Sequence, residues 1–349
     1  LSLGLRFRAT KRPPTPVARP ANIDRPNATA TAEKLSASIS IRGNLVSRRA
    51  SSAPGHVYSP SMAPILPRVC AYFRGFSQIF LTQNALSGLL IVCAMALSSW
   101  QLAALAMLGN AVQLALAAAL HVDGTSRGLM GYNGALVGAA AAASGAPLHI
   151  AAALTAAGAA AVIPLQQVFD RVPRITAVTA PFCIVAGLLF GPLGNLWETT
   201  PPVASSQLMT GLTNGLFDGF SEVVLADGIV PGLIILAALC VASLQVGGFA
   251  LLGSALGLAL AWAAHLDVEA VSTGMFNYSA VLTAIAVGTV LWPRAGWAAR
   301  LTGAATGVVL TLCIQWAMSG LPVPTYTWPF VITAWIFALL PTPAEVKRG

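Results

Sequence analysis

The chain has 349 residues, of which 56% are hydrophobic and only 9% are charged. Soluble domains carry about 25% charged residues, so this composition excludes a water-soluble globule and predicts an integral membrane protein. The formal net charge of +8 comes from the N-terminus, because residues 1–74 contain 12 of the 19 Lys and Arg but only two acidic residues. The remaining body is nearly neutral, which argues against nucleic-acid binding.

Residues 1–66 form a basic N-terminal segment that is rich in Arg, Pro, Ser and Ala. The segment has no periodic apolar pattern, so we expect it to be disordered. Two interpretations stay open. It is a basic tail that lies near anionic lipid, or it is an over-extended gene start, since the first methionine is Met62.

Ten apolar segments follow, and several are short or interrupted by Gly or Pro. The first membrane repeat, 67–200, holds segments near 76–100, 102–120, 129–145, 147–165 and 175–193. A polar connector, 201–218, leads to the second membrane repeat, 219–341, and a short tail, 342–349, ends the chain. The second repeat holds segments near 219–245, 247–264, 272–292, 301–319 and 328–340. This pattern predicts an all-α membrane protein with about ten transmembrane segments, some of them broken or re-entrant.

The basic residues of the body test this topology. With the N-terminus in the cytoplasm and ten crossings, the loop and tail Lys and Arg all lie on the cytoplasmic side: Arg127, Arg171, Arg174, Arg294, Arg300, Lys347 and Arg348. This agrees with the positive-inside rule. We therefore expect a multi-pass protein of the cytoplasmic (inner) membrane with both termini in the cytoplasm.

The two halves of the body share sequence motifs in one order. Gly75-Phe-Ser-Gln78 recurs 144 residues later as Gly219-Phe-Ser-Glu222, and Thr179-Ala-Pro-Phe182 recurs 148 residues later as Thr327-Trp-Pro-Phe330. Between them, the stretch from Tyr132 to Leu136 matches the stretch from Tyr278 to Leu282. Five crossings per half is an odd number, so the halves enter the membrane from opposite sides. Such inverted repeats place a substrate path at their interface, lined by broken helices.

Few polar residues recur in both halves, and all of them except Glu222 are neutral. They are the pair Gln78 and Glu222, the hydroxyls of Thr179 and Thr327, and the aromatic residues Tyr132 and Tyr278. A charged carboxylate at membrane depth costs roughly 3 kcal/mol, and the counterpart of Glu222 is a neutral amide, so this position is expected to act through hydrogen bonds. A small neutral solute with several N–H donors fits these side chains, because oxygen acceptors would replace its lost water.

The remaining reactive residues give no sign of an enzyme or a cofactor. The five cysteines and four histidines show no metal-ligand spacing. The apolar body contains no nucleophile paired with a base at a recurring spacing. We therefore expect a transport protein without a metal or cofactor.

These motifs resemble the urea transporter (urea channel) family over nearly all of residues 70–340. The resemblance implies passive conduction of urea through a pore in each subunit of a homotrimer, in an inverted-repeat fold. It also implies roles for matching residues. Gln78 and Glu222 would neighbour ladders of oxygen acceptors, and Thr179 and Thr327 would be central hydroxyls. The walls of two flat slots would be Tyr132 with Leu136 and Tyr278 with Leu282.

Two features depart from the pattern of that family. Leu81 and Leu225 stand where the family often has Phe, and Asn84-Ala85 stands where it often has Asn-Pro. The leucines are expected to make the slots wider and less selective. Two alternatives therefore stay open: a channel for other small neutral solutes, such as short amides or ammonia, and an ion-coupled secondary transporter of the same inverted-repeat type.

Overall fold

The computed structural model describes residues 65–342, apart from 126–127, 174, 193–195, 198–206, 267 and 322–323. The predicted N-terminal segment before residue 65 and the tail after residue 342 lie outside this range. So do four of the basic residues used to orient the chain: Arg127, Arg174, Lys347 and Arg348.

The described residues form thirteen α-helices, with no strand among them. The first half contains α1 (Ile65–Gln78), α2 (Ala85–Ser98), α3 (Trp100–Ala119), α4 (Tyr132–Ala143), α5 (Leu148–Asp170) and α6 (Ala180–Phe190). The second half contains α7 (Leu208–Ser221), a 3-10 turn (Glu222–Val224), α8 (Ile229–Ala242), α9 (Leu244–Ala263), α10 (Val268–Ser272), α11 (Tyr278–Ile285) with a π-helical continuation (Ala286–Leu291), α12 (Trp297–Met318) and α13 (Trp328–Leu339). Helix α7 begins inside the stretch 201–218 that the sequence assigns to a connector.

Helix lengths divide the molecule into long and short elements. A helix rises 1.5 Å per residue, so about 20 residues cross a hydrocarbon core of about 30 Å. Four helices are long and apolar enough: α3, α5, α9 and α12. Helix α7 with its 3-10 turn and α8 form an apolar pair bent by 71°, which counts as a fifth span if the pair is one broken crossing. The chain is thus a multi-pass helical membrane protein, and the count of ten crossings stays a prediction.

The short apolar helices α2, α6 and α13 have 14, 11 and 12 residues. At 1.5 Å per residue they reach only about 16 to 21 Å, less than the thickness of the core. Inside a bilayer, the free backbone groups at their ends need protein partners or a water-filled cavity. A solute path is therefore expected at the ends of these helices.

The helices of the second half match those of the first in length and in sequence spacing. Helices α2 and α8 have 14 residues each and start 144 residues apart, and α3 and α9 have 20 residues each with the same separation. Helices α6 and α13 start 148 residues apart. These separations equal those of the sequence motifs.

The short helices pack closely against their neighbours through glycine. A Cβ atom added to Gly88 in α2 would lie 1.8 Å from the carbonyl oxygen of Phe73 in α1. One added to Gly232 in α8 would lie 2.1 Å from the carbonyl oxygen of Phe217 in α7. In both halves, glycine is the residue type that allows this backbone contact.

Candidate transport pathway

Two buried threonines bring the halves together at the starts of α6 and α13. Thr179 and Thr327 are the N-cap residues of these helices, each with a proline in the first turn, a position where the missing N–H has no cost. Neither hydroxyl caps its own helix. Instead the two Oγ1 atoms lie 2.7 Å apart and share a hydrogen bond, and the Cys183 Sγ lies 3.1 Å from the Thr327 Oγ1. The predicted central hydroxyls therefore contact each other.

A tyrosine hydroxyl fixes the backbone immediately before each threonine. The Tyr132 hydroxyl donates to the carbonyl of Val178 at 2.7 Å, and the Tyr278 hydroxyl donates to the carbonyl of Tyr326. Val178 and Tyr326 both lie in the left-handed region, with φ values of 37° and 41°. That conformation costs a non-glycine residue about 1–2 kcal/mol, so the tyrosine hydrogen bonds help to hold the loop that carries each threonine.

A buried amide supplies the cap that Thr179 does not. The Asn133 Oδ1 accepts the backbone N–H of Phe182 in the first turn of α6 at 3.3 Å. Its Nδ2 donates to the Gln166 Oε1 at 3.2 Å. Because Asn133 reaches across from α4, the Thr179 hydroxyl is left available for Thr327.

Gln78 and Glu222 lie at matching turns where a helix ends. Gln78 is the last residue of α1, and Glu222 follows the last residue of α7. Ser77 holds the first turn, since its Oγ donates to the carbonyl of Thr82 at 3.1 Å and accepts the N–H of Asn84 at 3.1 Å. The predicted segment 76–100 is therefore broken between α1 and α2.

Leu81 and Leu225 make these two turns, with φ values of 60° and 57°. A turn with positive φ usually contains glycine, and neither leucine signals a break in the sequence. Both leucines are half-buried and pack against the core. The residues that depart from the family pattern thus share one backbone conformation in both halves.

A cavity of about 320 Å³ is lined by four of the five predicted site residues of the second half. Its polar lining residues include Glu222, Thr325 and Thr327. Glu222 is only 6% exposed, and no basic residue is among the lining residues in the described part of the chain. The described lining of the cavity therefore combines several oxygen-bearing residues with no Lys or Arg.

The predicted site residues are only partly brought together. Glu222, Leu225, Tyr278 and Thr327 line the cavity, and Thr327 connects it to Thr179. Gln78, Leu81 and Tyr132 occupy the matching places in the first half. Leu136 and Leu282 are 1% and 0% exposed, and both belong to the hydrophobic core. Their assignment as slot walls stays a prediction.

The sequence did not single out two aromatic residues of this cavity. Phe182 and Tyr326 line it, and their rings meet edge to face with centroids 5.0 Å apart. Phe182 stands out in the sequence only as the last residue of the repeated Thr-x-Pro-Phe motif. Tyr326 has no aromatic counterpart, since the position 148 residues earlier is Val178.

The chain is similar to known proteins over most of its length. A family model described as "Urea transporter" matches residues 69–342 of the chain. Among curated proteins, Urea transporter 1 from Rattus norvegicus is 24% identical over 296 residues, covering 77% of this chain and 76% of the rat protein.

Proposed function

The chain belongs to the urea transporter family, and on that premise we propose that it conducts urea passively through a pore within each subunit. The observation that carries this proposal is the cavity of Glu222, Tyr278 and Thr327, which leads to the hydroxyl pair of Thr179 and Thr327. The family is one of transporters, so the expected activity is solute movement across a membrane rather than catalysis.

The chemistry of the cavity suits a neutral amide. Urea carries several N–H donors and one carbonyl oxygen. In a dry passage each group without a partner costs several kcal/mol. Glu222, Thr325 and Thr327 line the cavity, and we expect their carboxyl and hydroxyl oxygens to serve as acceptors for the solute. The hydroxyls can also donate to the carbonyl of urea.

We propose that the pore lies between two inverted repeats. Three pairs of non-glycine residues with positive φ recur at the separations of the motifs: Leu81 with Leu225, His121 with His265, and Val178 with Tyr326. The backbone N–H of Asp227, just before α8, donates to the Oγ of Ser98 at the end of α2. Packing that joins the start of one helix to the end of its counterpart is expected of an antiparallel pair. The recurring φ values support a structural repeat, and the helix contact supports its inverted arrangement.

The first test is solute flux through the purified full chain in liposomes. Stopped-flow light scattering would follow urea alongside acetamide, ammonia and glycerol, with and without a proton gradient. We expect rapid urea flux that does not depend on the gradient. Urea flux that requires the gradient would instead support the coupled transporter, and folded protein without urea flux would contradict the proposed function.

The threonine pair gives a sharper test of the pore. Changing Thr179→Val and Thr327→Val together keeps the shape of both side chains and removes both hydroxyls. We expect each hydroxyl to hydrogen-bond a passing urea molecule. Losing two such bonds of about 1 kcal/mol each is expected to lower urea flux about thirtyfold.

A second buried threonine pair is a matched control for this test. The Oγ1 atoms of Thr283 and Thr311 also lie 2.7 Å apart, and neither residue lines the cavity described above. We expect Thr283→Val with Thr311→Val to leave urea flux within about twofold of the parent. Equal losses in both double variants would show that the effect is structural and that the Thr179–Thr327 pair has no special place in the path.

A further inference from the structure

A second cavity lies beside the turn between α7 and α8. It has a volume of about 440 Å³, and its polar lining residues are Asn214 and Asp218 in α7 and Asp227 just before α8. No Lys, Arg or His lines it in the described part of the chain. Its described lining shares no residue with that of the 320 Å³ cavity, so it needs an account separate from the proposed urea path.

Two buried oxygen atoms at this cavity have no hydrogen-bond partner among the described residues. They are the Oδ1 atoms of Asn214 and Asp218. The two residues are four apart in α7, so they lie on one face of the helix, and both line the cavity. Asp218 is only 6% exposed. Buried polar atoms in native proteins almost always have a partner, so these two oxygens indicate a missing ligand.

The surroundings of Asp218 favour a positively charged ligand. Asp218 lies in the last turn of α7, where the helix dipole disfavours an anion and favours a cation. The carboxyl of Asp227 is also near enough to repel that of Asp218, and like charges at one site are unfavourable. A cation bound by both carboxylates would offset both effects and would be coordinated by the free oxygen atoms.

The side chains fit a hard divalent cation. Ca²⁺ prefers carboxylate and amide oxygens and completes its coordination shell with water. Asp227 is exposed, so solvent reaches this side of the cavity. Among the described residues, no group of three or more His, Cys, Asp or Glu could hold a metal ion, so this site depends on the amide oxygen of Asn214 and on water. The sequence gave no sign of it, because Cys and His spacing does not test for oxygen ligands.

The first half has no copy of these residues. Their counterparts 144 residues earlier are Cys70, Arg74 and Gln83. A basic residue thus stands in place of the buried acid, and a neutral amide stands in place of the exposed one. The motifs of the pathway recur in both halves, whereas these residues do not. We therefore treat the second cavity as a site of its own rather than as part of the repeated pathway.

We propose that Asn214, Asp218 and Asp227 form a binding site for a divalent cation such as Ca²⁺. The cation links α7 to the start of α8 across their 71° bend and stabilises the second half. The backbone at this end of the site is already fixed, since the N–H of Asp227 donates to the Ser98 Oγ at 3.0 Å. The site does not depend on which solute the chain conducts, so its test is independent of the proposed function.

The test is thermal denaturation of the purified full chain in detergent, after EDTA has removed divalent cations. We expect about 10 mM CaCl₂ to raise the denaturation midpoint by about 3 °C relative to NaCl at the same ionic strength. Asp218→Asn keeps the shape of the side chain and removes its charge. It is expected to abolish the rise and to increase the midpoint in EDTA, because an unpaired buried carboxylate is gone. A merely structural role for Asp218 would lower the midpoint in EDTA instead.

Two further variants and a direct measurement complete the test. Asp227→Asn changes an exposed residue, is expected to fold, and should also abolish the rise. Asp170→Asn, at the exposed end of α5, is the matched control and should keep it. Equilibrium dialysis should give one Ca²⁺ per parent chain and none in Asp218→Asn. The proposal is overturned if the parent shows no rise, if NaCl reproduces it, or if either Asp218→Asn or Asp227→Asn retains it.

Discussion

Tyr132 and Tyr278 illustrate how single side chains hold the loops that carry Thr179 and Thr327. Each hydroxyl satisfies the carbonyl of a residue in a left-handed conformation, one position before a central threonine. Replacing either with Phe leaves a buried carbonyl without its donor, which typically costs about 1–3 kcal/mol. We expect Tyr132→Phe to lower both the thermal denaturation midpoint in detergent and the urea flux in liposomes.

Tyr72 provides the matched control for that variant. Its hydroxyl also donates to a backbone carbonyl, that of Met107 at 2.9 Å, but it lies away from the threonine loops. Tyr72→Phe is expected to lower the denaturation midpoint and leave urea flux unchanged. A flux loss as large as that of Tyr132→Phe would mean that the tyrosine contributes only to general stability.

Which site residues the sequence could predict depends on whether they recur. Thr179, Thr327 and Glu222 were predicted because their motifs appear in both halves, and the structure places them at helix ends. Tyr326 was missed because its counterpart is Val178, and a search for shared polar residues passes over a position that differs. The structure shows that its ring lies in the cavity lining and contacts the ring of Phe182.

At the scale of helices, glycine contacts decide how closely the short elements pack. Gly88→Ala would place a methyl group 1.8 Å from a backbone carbonyl oxygen that cannot easily move, and Gly232→Ala would do the same at 2.1 Å. We expect both variants to be strongly destabilised, by several kcal/mol, since relieving the clash must separate two helices. Thermal denaturation of the purified variants measures the effect.

Two other helical glycines are controls for that prediction. A Cβ atom added at Gly187 in α6 or at Gly248 in α9 meets no atom within 4 Å. Alanine favours a helix interior over glycine by up to about 1 kcal/mol, so Gly187→Ala and Gly248→Ala are expected to be neutral or slightly stabilising. If Gly88→Ala proves as harmless as these two, the close approach of α1 and α2 is wrong.

The sequence located most helices but not the break inside the predicted segment 76–100. Apolar runs such as 102–120 and 247–264 correspond closely to α3 and α9, because a long apolar run is a strong signal. The break after α1 was hidden, since the turn residues Ile79, Phe80 and Leu81 are themselves apolar and contain no Gly or Pro. Hydrogen bonds from Ser77 make this turn, and hydropathy does not detect them.

At the scale of the whole molecule, exposed apolar side chains offer surface that either lipid or a neighbouring subunit could cover. Large apolar side chains such as Trp100, Leu244 and Trp316 are 61%, 80% and 78% exposed. The family resemblance implies a homotrimer, and we expect native mass spectrometry from mild detergent to give about 107 kDa, three times the 35.8 kDa chain. A mass near that of a single chain under conditions that preserve urea flux would contradict this expectation.

The contact between Thr179 and Thr327 also bears on the ancestry of the chain. In an assembly of two identical units, a residue touches its own counterpart only where it lies on the two-fold axis. Thr179 and Thr327 are such counterparts by their place in the repeated motif, and their hydroxyls meet at 2.7 Å. Such a contact is expected if an ancestral gene encoded half of this chain and its product formed a homodimer. Duplication and fusion of that gene would then have joined the two subunits into one polypeptide and kept the contact on the axis.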